Sequence, residues 1–515
     1  MVLADNQVSP PASQQPAEAN VLRAINRAHN EFAPPARTEI NPDMDPLLPD
    51  LGDASSRAVS SEDERLLVEQ IRREIYNDPS YLRDPLLTDY LTDLGRRLAA
   101  GMEHAHLGTQ TFDFFAVRDK TVNAFAMPGG FIGVHTGLLA MAESESELAS
   151  VLGHEMGHVL QKHYARGQDK NGKNIWLTMA GVALGVLAAS RNSSAAQGLM
   201  VGGQALAINN ALVFSRDAER EADRVGFQIM QSSGFNPDAM PLFFERLQRV
   251  NTINELGQIS YVRTHPLTSE RIADMQNRVR LISHQASPPT SLGFYLARAR
   301  ARVLQTDGFD GLQALKKRFV VSADTDLITT LTASYGRALV EQALGNLDEA
   351  ERALNQARQT LEKNTDLWAD SVSIEVTAIE IALARQNPDQ ALSLSEAALR
   401  RFPNSRALNI DYVRTLIASR RYDKAVSFSQ AKTKSQPNEQ IWWELLAETF
   451  ALQGKQVEQH RALAERYALL SSWAAALEQL QIARRIGDAD FYVMSEIDAR
   501  IHQIERLVRE SAQQN

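Results

Sequence analysis

Apolar residues recur at helical spacing through most of this 515-residue chain. From Ser61 onward, Leu67, Ile71 and Ile75 fall on one face of a predicted first helix. The stretch 122–134 differs, because its apolar residues alternate on either side of a Pro-Gly-Gly turn, which predicts an edge strand. These patterns predict a mainly α protein: an α+β domain with a small antiparallel sheet, followed by an all-α repeat solenoid.

The carboxyl-terminal half repeats with a fixed period. Pro403 and Pro437 are 34 residues apart, as are Ala391 and Ala425, and this is the tetratricopeptide period. A helix pair of this kind cannot bury its apolar face alone, so four to six stacked repeats with a concave, protein-binding surface are expected. We place this repeat domain at 287–515, from a rigid Ser-Pro-Pro turn onward.

A second apolar pattern lies in the first half of the chain. Residues 175–189 are apolar, but about fifteen residues are fewer than the roughly 20 that span a bilayer. A polar break separates them from the Gly/Ala-rich stretch 195–208, so the pair predicts a helical hairpin. Two interpretations stay open: buried core helices, or a mobile lid through which 175–208 makes peripheral contact with a membrane or a partner.

Candidate chemistry lies at 154–158, which reads HEMGH and matches HExxH. On a helix, His154 and His158 share one face and can bind one metal ion, and Glu155 can take a proton from a metal-bound water. Ser144 and Glu147 form a capping box that predicts the start of this helix. A bare HExxH also fits a solvated helix face, so the assignment needs a third ligand elsewhere.

The segment 219–223, EREAD, offers that ligand on a second helix. Glu219 and Asp223 are four residues apart and share a face, which lets Glu219 bind metal while Asp223 accepts the spare N–H of a ligand histidine. The alternative is a solvated helix with charged pairs at i, i+4. His163 is expected to point away from the metal pair, because it lies five residues beyond His158.

The two motifs together resemble those of the gluzincin peptidases that include the HtpX and CAAX-prenyl proteases. The likeness extends to 123–130 (NAFAMPGG), which resembles the strand and turn before the metal helix, and to 264–271 (THPLTSER), which resembles a later HP…R element. It covers the chain from about Leu48 onward. Within the family, the chain is most similar to a periplasmic branch with a tetratricopeptide tail.

This resemblance implies a site, residue by residue. The implied ligands of one Zn²⁺ per chain are His154, His158 and Glu219, with Glu155 as the general base and Asp223 as the partner of a ligand histidine. The implied reaction is hydrolysis of peptide bonds by a zinc metalloendopeptidase.

His265 is also implied to lie near the zinc. It is either a self-inhibiting fourth ligand or a catalytic residue that stabilises the oxyanion, and the alternative is a histidine that caps the turn before Pro266. Arg271 is expected to pair with a carboxylate and hold this loop.

The resemblance further implies a periplasmic protein that acts on unfolded or misassembled outer-membrane β-barrel proteins. The repeat domain is expected to dock the β-barrel assembly machinery. A different function stays open, that of a chaperone or assembly scaffold whose zinc site is mostly latent.

Composition narrows the remaining classes of function. A net charge of −9 and a pI near 5.8 disfavour nucleic acid as a partner, and a chain without cysteine cannot use thiol catalysis. Residues 1–60 are rich in Pro, Ser, Gln and Asp and predict a flexible leader, which leaves 61–286 for the metallopeptidase domain. The amino terminus shows no signal-peptide pattern. If the protein is exported, as the resemblance implies, this numbering describes the mature chain after removal of the signal peptide.

Overall fold

The computed structural model describes residues 61–108, 110–163, 214–253, 260–282, 289–320 and 325–513, all within one compact unit, Gly52–Asn515. The predicted leader, 1–60, and the predicted hairpin, 175–208, lie outside these ranges. Among the helices in the described ranges, none is long and apolar enough to cross a membrane.

The elements of the amino-terminal half are numbered here in chain order over the described residues. They are α1 (Ser61–Asn77), α2 (Pro85–His104), β1 (Asp113–Val117), β2 (Ala124–Met127), β3 (Phe131–His135), α3 (Thr136–Met141), α4 (Glu145–Leu160), α5 (Arg216–Ser232), α6 (Ala239–Ile253), α7 (Ser260–Thr264) and α8 (Ser269–Leu281).

The three strands form one small sheet in the order β1-β3-β2. The predicted small sheet is confirmed, but its pairing is mixed: β2 and β3 are antiparallel, whereas β1 and β3 are parallel, because the chain passes beyond β3 to form β2 and then returns to the centre. Gly129 and Gly130 make the hairpin turn with φ of +85° and +82°. A Cβ at Gly130 would lie 2.2 Å from the carbonyl oxygen of Thr111, so this turn requires glycine.

The carboxyl-terminal half is helical throughout its described residues, with a short 3₁₀ helix at Thr365–Asp370. Its helices are α9 (Leu292–Leu304), α10 (Gly308–Lys316), α11 (Leu327–Ala343), α12 (Leu347–Glu362), α13 (Val372–Ala384), α14 (Pro388–Arg401), α15 (Arg406–Ala418), α16 (Tyr422–Ser435), α17 (Gln440–Leu452), α18 (Gln456–Leu469), α19 (Trp473–Ile486) and α20 (Phe491–Gln513). Ala391 and Ala425, the pair 34 residues apart, are both completely buried where neighbouring helices pack.

Helix α9 belongs to both halves of the molecule. Phe294, Ala297 and Ala301 on one side of α9 lie in the core that contains the sheet and α4. Leu296 and Ala299 on the other side lie in the first core of the helical repeats. The predicted domain boundary at 286/287 therefore falls just before a helix that two hydrophobic cores share.

Candidate metal centre

The helix that carries HExxH, α4, starts where the sequence predicts. Ser144 is the N-cap, and its hydroxyl accepts a hydrogen bond from the Glu147 N–H. The carboxylate of Glu147 accepts from the N–H of Glu143 at 2.7 Å, one residue before the position that a capping box expects. The predicted helix start is therefore confirmed, with a shifted partner for Glu147.

Helices α4 and α5 cross at small residues. A Cβ at Gly157 would lie 2.8 Å from the carbonyl oxygen of Ala222, and one at Gly226 would lie 2.8 Å from the backbone of Gly153. Both distances are shorter than a carbon atom tolerates, so a larger residue would force the helices apart. This close approach lets side chains of the two helices meet in one buried cluster.

That cluster combines four ligand atoms of the predicted kind. His154, His158, Glu219 and His265 each offer one atom, all within 4.8 Å of one another, and all four side chains are buried. The Nε2 atoms of His154 and His158 are 3.0 Å apart, and His265 Nδ1 lies 3.0 Å from Glu219 Oε1. Converging imidazole nitrogens and a carboxylate oxygen are a donor set that suits a divalent transition metal.

The outer atoms of these residues are also engaged, as expected around a metal. His154 Nδ1 lies 2.9 Å from Asp223 Oδ1. Arg271 donates from Nε and Nη2 to the two oxygens of Asp223, each at 2.7 Å, and its Nη1 lies 2.7 Å from Glu219 Oε2. The expectation that Arg271 pairs with a carboxylate is therefore confirmed.

Glu155 points towards the sheet side of the cluster. The N–H of Ala126 in β2 donates to Glu155 Oε2 at 3.0 Å, and His265 Nε2 lies 3.5 Å from Glu155 Oε1. Oε1 is buried and has no hydrogen-bond partner among the described residues. Burial raises the pKa of Glu155 above its ordinary value, which brings it closer to that of a group that exchanges protons near neutral pH.

The surroundings shift the pKa values of the clustered residues in different directions. Burial alone would raise the pKa of Glu219, but the charge of His265 and hydrogen bonds from His154 and His265 outweigh it and hold the pKa well below its ordinary value. Burial, and then the charge of His154, hold the pKa of His158 well below its ordinary value. Burial would also lower the pKa of His154, but hydrogen bonds to Asp223 and Glu219 raise it to about 9. Metal binding is therefore expected to release a proton from His154.

His163 lies outside the four-residue cluster, but the expectation that it points away from His158 was wrong. Its Nδ1 lies 3.0 Å from Nδ1 of His158, and its Nε2 lies 3.0 Å from Glu221 Oε2. Spacing on a continuous helix failed to predict this contact because α4 ends at Leu160 and Lys162 takes a left-handed φ of +48°. Neither that turn nor the partnership with Glu221 has a signal in the HExxH and ExxxD spacings.

Comparison with known proteins agrees with this geometry. Residues 85–279 match the model of peptidase family M48, and residues 382–449 match a tetratricopeptide repeat model. Both HEMGH and EREAD fall inside the first range, as do His265 and Arg271.

Two relatives match over most of their length, and a third matches over about a third of it. A Vibrio cholerae protein is 32% identical over 467 residues, which are 89% of this chain and 93% of the relative. The beta-barrel assembly-enhancing protease of Escherichia coli O157:H7 is 30% identical over 480 residues, 89% of this chain and 91% of the relative. The mitochondrial metalloendopeptidase OMA1 of Arabidopsis thaliana is 32% identical over 167 residues, 32% of this chain and 31% of the relative. The chain belongs to peptidase family M48 and is a metalloendopeptidase with a tetratricopeptide repeat region.

Proposed function

We propose that the metal is zinc, one ion per chain, held by His154, His158 and Glu219. The observation that carries this proposal is the convergence of buried nitrogen and oxygen donors within 4.8 Å, with Glu155 beside them. Zinc, when bound, lowers the pKa of a bound water and polarises a peptide carbonyl. Asp223 fixes the ring of His154 through Nδ1, and Arg271 fixes Asp223.

Glu155 is proposed as the general base. Its carboxylate takes a proton from the attacking water and returns it to the nitrogen of the leaving amine. The N–H of Ala126 holds Oε2, which leaves Oε1 directed at the cluster side. Since Ala126 lies in β2, at the edge of the described sheet, a substrate paired to that strand would lie beside the base.

His265 is proposed as a fourth ligand that inhibits the enzyme in this state. Its Nδ1 lies 3.3 Å from Nε2 of His154 and 3.0 Å from Glu219, within the ligand set. Its Nε2 faces Glu155. As a fourth ligand, the ring would take the coordination position that a water needs, so it would have to move before turnover.

The substrates are proposed to be misfolded or stalled outer-membrane β-barrel proteins in the periplasm. The sequence resemblance supports this proposal, as does the similarity to the beta-barrel assembly-enhancing protease of Escherichia coli. The repeat region is proposed to dock the β-barrel assembly machinery, since tetratricopeptide stacks present a protein-binding surface. Peripheral membrane contact through 175–208 stays a prediction.

The test is degradation of a denatured outer-membrane β-barrel protein by zinc-loaded wild type, Glu155→Gln and His265→Ala. We expect Glu155→Gln to lose at least about 100-fold in rate, the usual contribution of a general base, and His265→Ala to exceed wild type. Glu270→Gln, an exposed carboxylate at the start of α8, is the matched control and should keep wild-type activity.

The second candidate function, an assembly scaffold with a latent site, is favoured by the position of His265 inside the ligand set. It predicts that Glu155→Gln keeps full assembly activity in cells and that the wild type does not degrade the substrate. Loss of substrate degradation in Glu155→Gln, with gain in His265→Ala, would exclude a purely latent site.

A further inference from the structure

The end of the metal helix makes a left-handed turn that redirects the chain. After α4 ends at Leu160, Lys162 takes a φ of +48°, a conformation that residues other than glycine seldom adopt. The turn brings His163 back beneath His158, where the His163 side chain is 2% exposed.

If His158 Nε2 binds the metal, the hydrogen bonds from His158 through His163 to Glu221 allow one set of histidine tautomers. His158 Nε2 faces the ligand cluster, so its proton has to be on Nδ1 when Nε2 binds metal. Nδ1–H then donates to Nδ1 of His163 at 3.0 Å, which must be an acceptor. The remaining proton of His163 is on Nε2, which donates to Glu221 Oε2 at 3.0 Å.

Both ligand histidines of α4 thereby reach a carboxylate of α5. His154 contacts Asp223 directly at 2.9 Å, whereas His158 contacts Glu221 through His163. We propose that His163 and Glu221 are positioning residues that fix the tautomer and ring orientation of His158. This inference rests on the proposed metal centre, and it assigns the pair a role in metal affinity beyond the residues of the HExxH and ExxxD motifs.

The test measures zinc affinity by chelator competition, together with the visible absorption of the cobalt-substituted protein. We expect His163→Leu, which keeps the bulk and removes the hydrogen bonds, to weaken zinc binding about 10- to 100-fold and to shift the cobalt bands. His163→Gln should restore most of the affinity, because an amide can accept from His158 and donate to Glu221. Rescue by glutamine would not be expected if His163 only filled space.

Variants of Glu221 provide a second test of the same proposal. Glu221→Ala should weaken binding about 10-fold in the wild-type background. In the His163→Leu background it should add nothing, because the path is already broken. Asp217→Asn, a 92% exposed carboxylate on the same helix, is the control and should leave affinity and spectrum unchanged. Thermal unfolding of each metal-free variant separates a loss of fold from a loss of affinity.

The outcomes distinguish the two proposals. Wild-type zinc affinity in both His163→Leu and Glu221→Ala would overturn the positioning role while leaving the metal centre intact. Equal losses from Glu221→Ala in both backgrounds would also overturn it, since Glu221 would then act by its charge alone. A wild-type chain that binds no zinc would instead refute the proposed metal centre, and the positioning role with it.

Discussion

Two buried arginines, Arg271 and Arg300, each lie between two carboxylates, yet they hold different kinds of structure together. Arg271 bridges Asp223 and Glu219, which lie four residues apart on α5. Its carboxylate partners among the described residues are therefore on one helix, beside the proposed ligand histidines. Here the ion pairs set the position of a proposed metal ligand.

Arg300 lies on α9, the helix shared by the two cores. Its Nε donates to Asp84 Oδ2 at 2.7 Å, and its Nη2 donates to Glu380 Oε1 at 2.7 Å. Asp84 is the N-cap of α2 in the peptidase half, whereas Glu380 lies on α13 in the repeat half. The same ionic arrangement therefore joins two halves of the chain instead of two residues of one helix.

The two arginines show that similar buried ion pairs can stabilise different kinds of contact. Burying charge is costly, and a well-packed apolar substitute is often as stable, so retention of the ions calls for a reason beyond stability. We propose that Arg271 holds the adjoining proposed ligands in position, whereas Arg300 fixes how the two packed halves align. Variants of the two arginines test this distinction directly.

The largest expected effect is that of Arg271→Met. The change leaves two buried carboxylates without their cation, which typically costs about 3–5 kcal/mol of unfolding free energy, and it also releases Glu219 and Asp223 from their positions. We expect loss of both peptidase activity and tight zinc binding, measured by substrate degradation and chelator competition. Arg278→Met on the same helix, 35% exposed, is the control. Wild-type zinc affinity in Arg271→Met would contradict the assigned role.

Arg300→Met should affect stability and spare the metal centre. About 3 kcal/mol of unfolding free energy is expected to be lost, because Asp84 and Glu380 stay buried or half-buried without their partner. Zinc affinity of the folded variant should stay within about twofold of wild type, since α9 contributes no ligand. Urea unfolding and chelator competition measure the two quantities, and Arg461→Met removes an exposed ion pair as the control. A large loss of zinc affinity would show that the two arginines act on the same site.

The sequence predicts the first arginine site far better than the second. Helical spacing puts His154 and His158 on one face and Glu219 and Asp223 on another, and the family resemblance implies that the two faces share a site with Glu155. The structure brings these residues together. Spacing works here because both motifs lie within single helices, where residues four apart share a face. The 34-residue period likewise predicts the repeat helices, because each repeat packs on its neighbours.

The contacts that the sequence does not reveal depend on irregular backbone or on distant segments. His163 is one case, since the left-handed turn at Lys162 carries no recognisable residue signal. Arg300 is another, because Asp84 and Glu380 lie 216 and 80 positions away along the chain. The parallel pairing of β1 with β3 is a third, because a single strand pattern does not specify its neighbour. Contacts between residues far apart along the chain leave no periodic pattern in the local sequence, so they cannot be predicted from it.

The smallest expected effect is on a carboxylate near Arg300. Asp411 on α15 is buried, and burial followed by the charge of Glu380 raises its pKa from 3.8 to about 7, against the opposing charges of Arg414 and Arg300. Because the folded state holds this proton more tightly than the unfolded state, the contribution of Asp411 to the free energy of unfolding falls as pH rises from about 4 to about 7. Above pH 7 the folded protein carries a buried charge whose ionisation opposes folding.

Asp411→Asn should remove that dependence. Asparagine keeps an oxygen to accept from Arg414, which donates to Asp411 Oδ1 at 3.2 Å, but it cannot ionise. Between pH 5 and pH 8 the wild-type free energy of unfolding should fall relative to that of the variant by about 2 kcal/mol, since one proton over two pH units is worth about 2.7 kcal/mol at most. Urea unfolding of both proteins across this range measures the difference, and the pH effects of other groups, including Asp89, cancel in it. Parallel pH profiles would mean that Asp411 is already ionised at pH 5, and that Arg300 balances three carboxylates instead of the two it bridges.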